Sequence, residues 1–249
     1  FSFAQGGDNI RLMFLKLDFA IKEKKRIQFV VIPGDYHTFS SHRYKNNDFT
    51  RDLLYINNYS LISDLYNANR FSVFLRWFFN YIPLSKGDDW EKYFFILTNS
   101  QKSGGSTGKT YVHLSQKEKE SSSMKRVIAH LGKKIVNPKL VAILDQFIAF
   151  CKENHVKIIV IRYPFSKEYG YYAKKYPLDE VNAVFDSRKS HFLAVLNYEN
   201  IFFEKPQYFF NEDHLNEKGA KIFTGILKAD IEHAISQDKK TISVLSGDL

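Results

Sequence analysis

The chain has 249 residues, of which 44% are hydrophobic and 16% aromatic. A chain of this length and composition can bury a sizeable core, which excludes a largely disordered protein. The net charge of +9 raises the question of a nucleic-acid partner. The basic residues are scattered among acidic and serine residues, so we interpret the charge as ordinary surface charge and expect no nucleic-acid partner.

Cysteine content and hydropathy exclude two further classes of protein. The single cysteine, Cys151, rules out an internal disulfide framework and any Cys-x-x-Cys metal site. No apolar run approaches the roughly 18 residues needed to cross a bilayer. The chain begins at Phe1 and not at methionine, so whether a signal peptide or anchor precedes it stays open.

A strand, a helix and a second strand are predicted at the start of the chain. Residues 1–4 resemble the end of a strand, and a turn at 5–9 precedes apolar residues at helical spacing from 10 to 21. Residues 27–32 form a nearly continuous apolar run, which is typical of a strand buried on both faces of a parallel sheet. Pro33-Gly34 ends it.

The same alternation returns in the second half of the chain. Helices are predicted at 140–151, 178–196 and 216–235, and strands at 157–161 and 201–203. Alternating helices and apolar strands predict an α/β fold with a mostly parallel sheet, and we expect a flavodoxin-like three-layer α/β/α sandwich. The strands at 27–32, 157–161 and 201–203 should then be parallel neighbours in one sheet.

Residues 51–137 do not keep this alternation. They contain an aromatic helical stretch at 61–82, a strand-like segment at 93–97 and a polar loop at 99–109. We interpret them as an insertion into a single domain, forming either a lid over the site or a second packing layer. The tail from about residue 237 carries no strong signal and is expected to be weakly structured.

One segment resembles a nucleotide-binding loop. Residues 103–110 end in Gly-Lys-Thr, as a Walker A loop does, and Lys109 and Thr110 would then contact phosphate and Mg²⁺. The first glycine of that motif is replaced by Ser103, residues 111–114 read as a strand and not a helix, and the candidate partner Asp145 lies in a helical stripe. A flexible surface loop is therefore favoured.

The sharpest motif surrounds His214. It follows a predicted strand and opens the last helix, so it should lie at the carboxyl edge of the sheet, where open α/β folds bind ligands. Asn216 with Glu217 can start that helix. Taken alone, the histidine could equally be a polar turn residue before a capped helix.

The whole string Asn211-Glu212-Asp213-His214-Leu215-Asn216, continued by Lys218-Gly219-Ala220, resembles the last block of the SGNH (GDSL-type) hydrolases. In that family this block supplies the acid and base of a Ser-His-Asp triad. The resemblance implies that His214 is the base. The family's aspartate position, three residues before the histidine, is Asn211 here, and Asp213 is adjacent, so the residue that orients His214 stays open between these two.

Other blocks of the family match more loosely. Gly6 or Gly7 stands where the family has a backbone oxyanion donor, and Gly34 matches the glycine of the third block, whose asparagine is missing. Asp35 and His37 would line the pocket there, although two residues make no metal site. The family's nucleophilic serine would lie upstream of Phe1, and we expect that the true N-terminal part of the domain precedes the given chain.

The resemblance implies a serine ester hydrolase or O-acyltransferase that uses no cofactor or metal. From the resemblance we expect acyl groups on cell-envelope polysaccharide, or another small ester, as the substrate, and an extracytoplasmic location. Two alternatives stay open: a non-catalytic glycan-binding module with a decayed site, and a nucleotide-binding protein that uses residues 103–110. The remaining histidines, at positions 42, 113, 130, 155, 191 and 233, are interpreted as structural or surface residues.

Overall fold

A computed structural model describes residues 9–23, 26–45, 69–81 and 111–246. These residues fall into two compact units, the first with residues 9–14, 26–45 and 111–246 and the second with 15–23 and 69–81. Gly7 and the predicted elements at 93–97, 99–109 and 103–110 lie outside the described residues.

Within the described residues, the helices are Ile10–Lys22 (α1), Ser41–Lys45 (α2), Arg70–Tyr81 (α3), Gln116–Leu131 (α4), Pro138–Glu153 (α5), Lys167–Ala173 (α6), Leu178–Asp186 (α7) and Glu217–Ser246 (α8). The strands are Phe29–Pro33 (β1), Lys157–Arg162 (β2), Phe192–Asn197 (β3), Phe209–Asn211 (β4) and His214–Leu215 (β5). Of the helices described, none is both long and apolar enough to cross a bilayer.

A three-stranded parallel sheet in the order β1, β2, β3 forms the centre of the first unit. In β2, residues 158–161 are buried, as expected for a strand with a neighbour on each side and packing on both faces. Val30 pairs with Ile158 and Ile32 with Val160. The predicted α/β class and the parallel pairing of the first two predicted strands are confirmed.

The prediction of the third strand, at 201–203, was wrong. Residues 201–204 form turns, and the strand that pairs with β2 is β3, inside the segment predicted as a helix from 178 to 196. Helix α7 ends at Asp186, and a short 3-10 turn at Lys189–His191 leads into the strand. Phe202 is buried in the core while Ile201 is exposed, so this apolar run anchors a turn through one ring.

Two other segments differ from their predictions. Residues 111–113 form a 3-10 helix and not a strand, with Tyr111 buried in the core cluster. The last helix continues to Ser246, past the point where a weakly structured tail was expected. Within 51–137, helix α4 packs against α6 and therefore belongs to the sheet-bearing unit.

The core lies on both sides of the strands. Ile159 and Ile161 of β2 share a buried cluster with aromatic residues from the 3-10 helix at 111–113, the segment after β3, β4 and α8, namely Tyr111, Tyr198, Phe202, Phe209 and Phe223. Helix α5 buries Leu140, Leu144 and Phe147 and packs against β2. Cys151 is a free, buried thiol on the same helix, as predicted. This packing holds the carboxyl ends of the strands in fixed positions.

Candidate functional site

The carboxyl ends of the three parallel strands are joined by polar side chains. Asp35, just after β1, accepts a hydrogen bond from the backbone N–H of Tyr163 at 2.9 Å. Tyr36 donates to Glu199 Oε2 at 2.7 Å, and Glu199 follows β3. Arg162, the last residue of β2, lies 3.4 Å from Glu199 Oε1. These contacts tie the three loops into one surface.

The hairpin of β4 and β5 presents His214 beside this surface. Its turn is attached to the segment after β2, because the Ser166 N–H donates to the Glu212 carbonyl at 2.8 Å. The helix that follows is capped by Asn216, whose Oδ1 accepts the Gly219 N–H at 2.9 Å. His214 is itself the first residue of β5, and the capped helix after it was predicted correctly, whereas the strand expected before it, at 201–203, is a turn.

Asn211 holds the His214 ring by a directed hydrogen bond. Its Oδ1 lies 2.9 Å from His214 Nδ1 and also accepts the backbone N–H groups of Asp213 and His214, at 3.2 and 3.0 Å. Two backbone donors can face only the oxygen of the amide, so the orientation of the Asn211 side chain is fixed. The shorter contact, to Asn211, favours the tautomer with the proton on Nδ1 and with Nε2 as the acceptor, although Arg126 Nη2 also lies 3.4 Å from Nδ1.

Asp213 contacts the same ring nitrogen, chiefly through its charge. Its Oδ1 lies 3.1 Å from His214 Nδ1 and 3.0 Å from Arg126 Nε, yet neither contact is aligned as a hydrogen bond. Burial acts to raise the pKa of Asp213, but contact with His214, Arg126 and His130 outweighs it and holds that pKa below its usual range. Asp213 is therefore a carboxylate at neutral pH.

Two residues of α4 complete the surroundings of Asp213. Arg126 and His130 lie four positions apart on one face of the helix, which a capping box between Ser115 and Glu118 starts. His130 Nδ1 lies 3.8 Å from Asp213 Oδ2 and 2.9 Å from the Tyr169 hydroxyl. Neither residue could be paired from the sequence, because their contacts span about 40 to 90 positions.

Histidine rings connect this group to the loop after β1. The His37 ring stacks on His130 with centroids 4.5 Å apart, and the His42 ring lies 5.3 Å from His130. Burial lowers the pKa of His130 to about 4. Burial, with the Arg43 charge, also holds the pKa of His37 well below its usual value, so both rings are neutral at pH 7. Two of the histidines interpreted as structural thus border the site.

The candidate residues of the third block, Gly34, Asp35 and His37, lie just after β1 and differ from one another in their surroundings. Gly34 donates its N–H to Ile161 O at 2.7 Å, and a Cβ there would lie 2.6 Å from a methyl group of Val160, so this glycine serves the close approach of β1 and β2. Burial raises the pKa of Asp35 to about 7, against the opposing effects of the Tyr163 N–H and Arg43. Asp35 and His37 line one small cavity.

The arrangement can act as an acid–base site. The His214 side chain is 59% exposed, its Nδ1 side is occupied by Asn211 and Asp213, and its tautomer leaves Nε2 free to take a proton. Among the described residues, no group of three or more potential ligands has the arrangement needed to hold a metal ion. No family model, curated protein or solved structure matches the chain.

Proposed function

We propose that His214 is the general base of a serine ester hydrolase or O-acyltransferase of SGNH type, built on a three-layer, flavodoxin-like α/β/α sandwich. The observation that carries the proposal is the 2.9 Å hydrogen bond from His214 Nδ1 to Asn211 Oδ1. A general base at a serine needs its Nδ1–H held and its Nε2 open, and this bond provides both.

The proposed reaction uses residues on both sides of Phe1. A serine from an upstream block attacks the acyl carbonyl while His214 Nε2 takes its proton, and the imidazolium then gives that proton to the leaving alcohol. Water or an acceptor hydroxyl releases the acyl group. Backbone N–H groups near Gly7 would stabilise the oxyanion. We propose acylated carbohydrate of the cell envelope, or another small ester, as the substrate and an extracytoplasmic location for the protein.

The role of a single aspartate is divided between two residues in this proposal. Asn211 supplies the directed hydrogen bond that sets the tautomer, but an amide adds no charge. Asp213 lies 3.1 Å from the same nitrogen and supplies the negative charge that stabilises the imidazolium formed during reaction. A ring held by an amide and a carboxylate together has the properties that a triad needs.

The tautomer of His214 can be measured without substrate. In the chain described here, we expect the neutral ring to carry its proton on Nδ1, as seen in the nitrogen shifts and couplings of the imidazole at mildly alkaline pH. Asn211→Ala should move part of the population toward the Nε2–H form, because the aligned acceptor is lost and the Asp213 carboxylate that remains near Nδ1 is not aligned as a hydrogen bond. His233, which is exposed on α8, is the internal reference in the same spectra. An Nε2–H form in the unsubstituted chain would contradict the proposed base.

Measurements of activity should distinguish the roles of Asn211 and Asp213. In a chain extended upstream of Phe1, we expect Asp213→Asn to lower kcat on the order of 10²-fold, because it removes the charge that stabilises the imidazolium. Asn211→Ala should cost only about tenfold, since Asp213 still faces Nδ1. Initial rates on p-nitrophenyl acetate, with circular dichroism to check folding, decide this. The reverse order would make the hydrogen bond from Asn211 more important for catalysis than the charge of Asp213.

A non-catalytic glycan-binding module is the competing proposal. It predicts that the extended chain binds oligosaccharide but is not labelled by a serine-directed phosphonate. The esterase proposal predicts covalent labelling that is lost in His214→Ala, because the serine is then no longer activated. Labelling that is equal in both chains would show that the serine reacts without His214.

A further inference from the structure

A small cavity lies between the loop after β1, the start of α1 and helix α2. Its polar lining is Asn9, Asp35, His37, Thr38 and Arg43, and its apolar lining is Ile10, Met13 and Pro33. It has room for about one water molecule. A cavity of this size and polarity accommodates one oxygen atom of a larger ligand.

The cation in this lining, Arg43, has no close counter-charge among the described residues. Within the described ranges, no carboxylate lies within salt-bridge distance of Arg43, and its close side-chain contact is His37 Nε2 at 2.6 Å. Arginine can only donate, so Nε2 accepts and the His37 ring is neutral. Burial lowers the pKa of Arg43, and Asp35 and Asp213 oppose this only through longer-range charge.

Asp35 neutralises the positive charge of Arg43 only in part. Its carboxyl has a pKa of about 7 because it is buried, so near neutral pH a large fraction of the molecules carry it protonated and uncharged. Arg43 is half-buried, so its guanidinium loses part of its hydration, and an anion that brings its own charge offsets part of that cost. Within the described ranges, the hydrogen bond of the Arg43 side chain runs from Nη2 to His37 Nε2, so its other N–H groups are the candidate donors to such an anion.

We propose that this cavity is a subsite for the anionic group of a ligand, a carboxylate or a phosphate, with one anion oxygen bound by Arg43. Guanidinium groups suit both anions because their planar N–H donors match the spacing of the anion oxygens. Asn9 supports the site by donating its side-chain amide to the Arg43 carbonyl at 3.3 Å. The uncharged form of Asp35 adds a donor to the same cavity.

The cavity is connected to His214 through packed side chains. The His37 ring, on one wall, stacks on His130, and His130 lies 3.8 Å from Asp213, which flanks His214. That the cavity binds an anion does not depend on the proposed function. That the anion is part of an ester substrate of His214 rests on the proposed function, and the substrates would then be esters that also carry a carboxylate or phosphate.

Titration of the chain with inorganic phosphate and with acetate, against chloride at equal ionic strength, tests the site. We expect saturable shifts of the His37 ring signals with a Kd of about millimolar, a free energy near 4 kcal/mol. Arg43→Met should weaken binding at least about tenfold, and Arg43→Lys by less, because lysine keeps the charge without the planar donors. The anion that binds more tightly shows whether the subsite is better suited to a phosphate or to a carboxylate.

Arg188→Met is the matched control. This arginine is paired with Asp145 through two contacts of 2.6 and 2.9 Å, so its replacement removes the same charge from the protein without touching the cavity. Anion binding should stay unchanged in this variant. No saturable response, or an equal loss in Arg188→Met and Arg43→Met, would overturn the proposal.

Asp35→Asn provides a second test that does not depend on removing the arginine. Binding to the unsubstituted chain should weaken as pH rises through about 7, because Asp35 becomes negative and repels the anion. Asp35→Asn should bind more tightly above neutral pH and lose this dependence. The other titratable or charged groups that face Asp35 are Arg43, Tyr163, Tyr169, Glu199 and Asp213. Weaker binding in Asp35→Asn would contradict the site. The tautomer of His214 tests the esterase proposal separately.

Discussion

His214→Ala should abolish esterase activity while leaving the fold intact. In a chain extended upstream of Phe1, we expect kcat/KM to fall about 10³-fold or more, because the serine loses the group that takes its proton. The stability of the protein should change by less than about 0.5 kcal/mol, because the side chain is 59% exposed and packs little against the core. Initial rates and denaturant unfolding measure the two effects.

A catalytic histidine is distinguished from a structural one by a loss of activity without a loss of stability. A histidine that only stabilised the hairpin would lower stability and activity together, whereas a base lowers activity alone. His233→Ala is the control, since His233 is an exposed histidine on α8. It should leave both quantities unchanged. Full activity in a folded His214→Ala variant would eliminate the proposed role of this residue.

The sequence predicted those parts of the fold whose signals are local. Residues 157–161 read as a buried strand because both faces are apolar, and they form the central strand β2. Helix α5 was predicted from apolar residues at helical spacing, and its buried face follows that spacing. The start of α8 was predicted from the capping residue Asn216. In each case the signal comes from residues that are near one another in the sequence.

Elements whose signals depend on distant partners were missed. The alternation in β3 is weak because this strand is only partly buried, and Val195 is exposed. The aromatic run at 201–203 has a stronger apolar signal, but it buries a single ring in a turn. A three-residue run cannot show by itself whether a neighbouring strand is available to pair with it.

The site was predicted only where its residues are neighbours in the sequence. Asn211, Asp213 and His214 were candidates because they stand in one short motif, and the structure brings them together. Arg126 contacts that motif from 88 positions earlier in the chain. Its helix does carry Arg126 and His130 on one face, which is a weak signal that an ordinary surface helix also shows. The contact between Arg126 and this motif depends on the packing of α4 against α6.

Gly219→Ala should produce the largest loss of stability among the single changes considered. Gly219 lies in the first turn of α8, and a Cβ there would stand 2.3 Å from the Tyr208 carbonyl oxygen and 2.9 Å from the Tyr208 Cβ. The same carbonyl accepts the Asn216 N–H at 2.9 Å, so the helix cannot shift away without breaking that bond. We expect a loss of about 3 kcal/mol, typical of forcing an extra carbon into a packed contact.

Gly225→Ala on the same helix is the matched control and should have the opposite sign. A Cβ at Gly225 meets nothing within 4 Å, so the added methyl group causes no steric conflict. Alanine restricts the unfolded chain more than glycine does, and we expect a gain of about 0.5 to 1 kcal/mol. Urea unfolding of the two variants measures the difference between a glycine that lets α8 approach the hairpin and one that does not. Equal effects would show that Gly219 does not set the contact between α8 and the segment that carries Asn211 and His214.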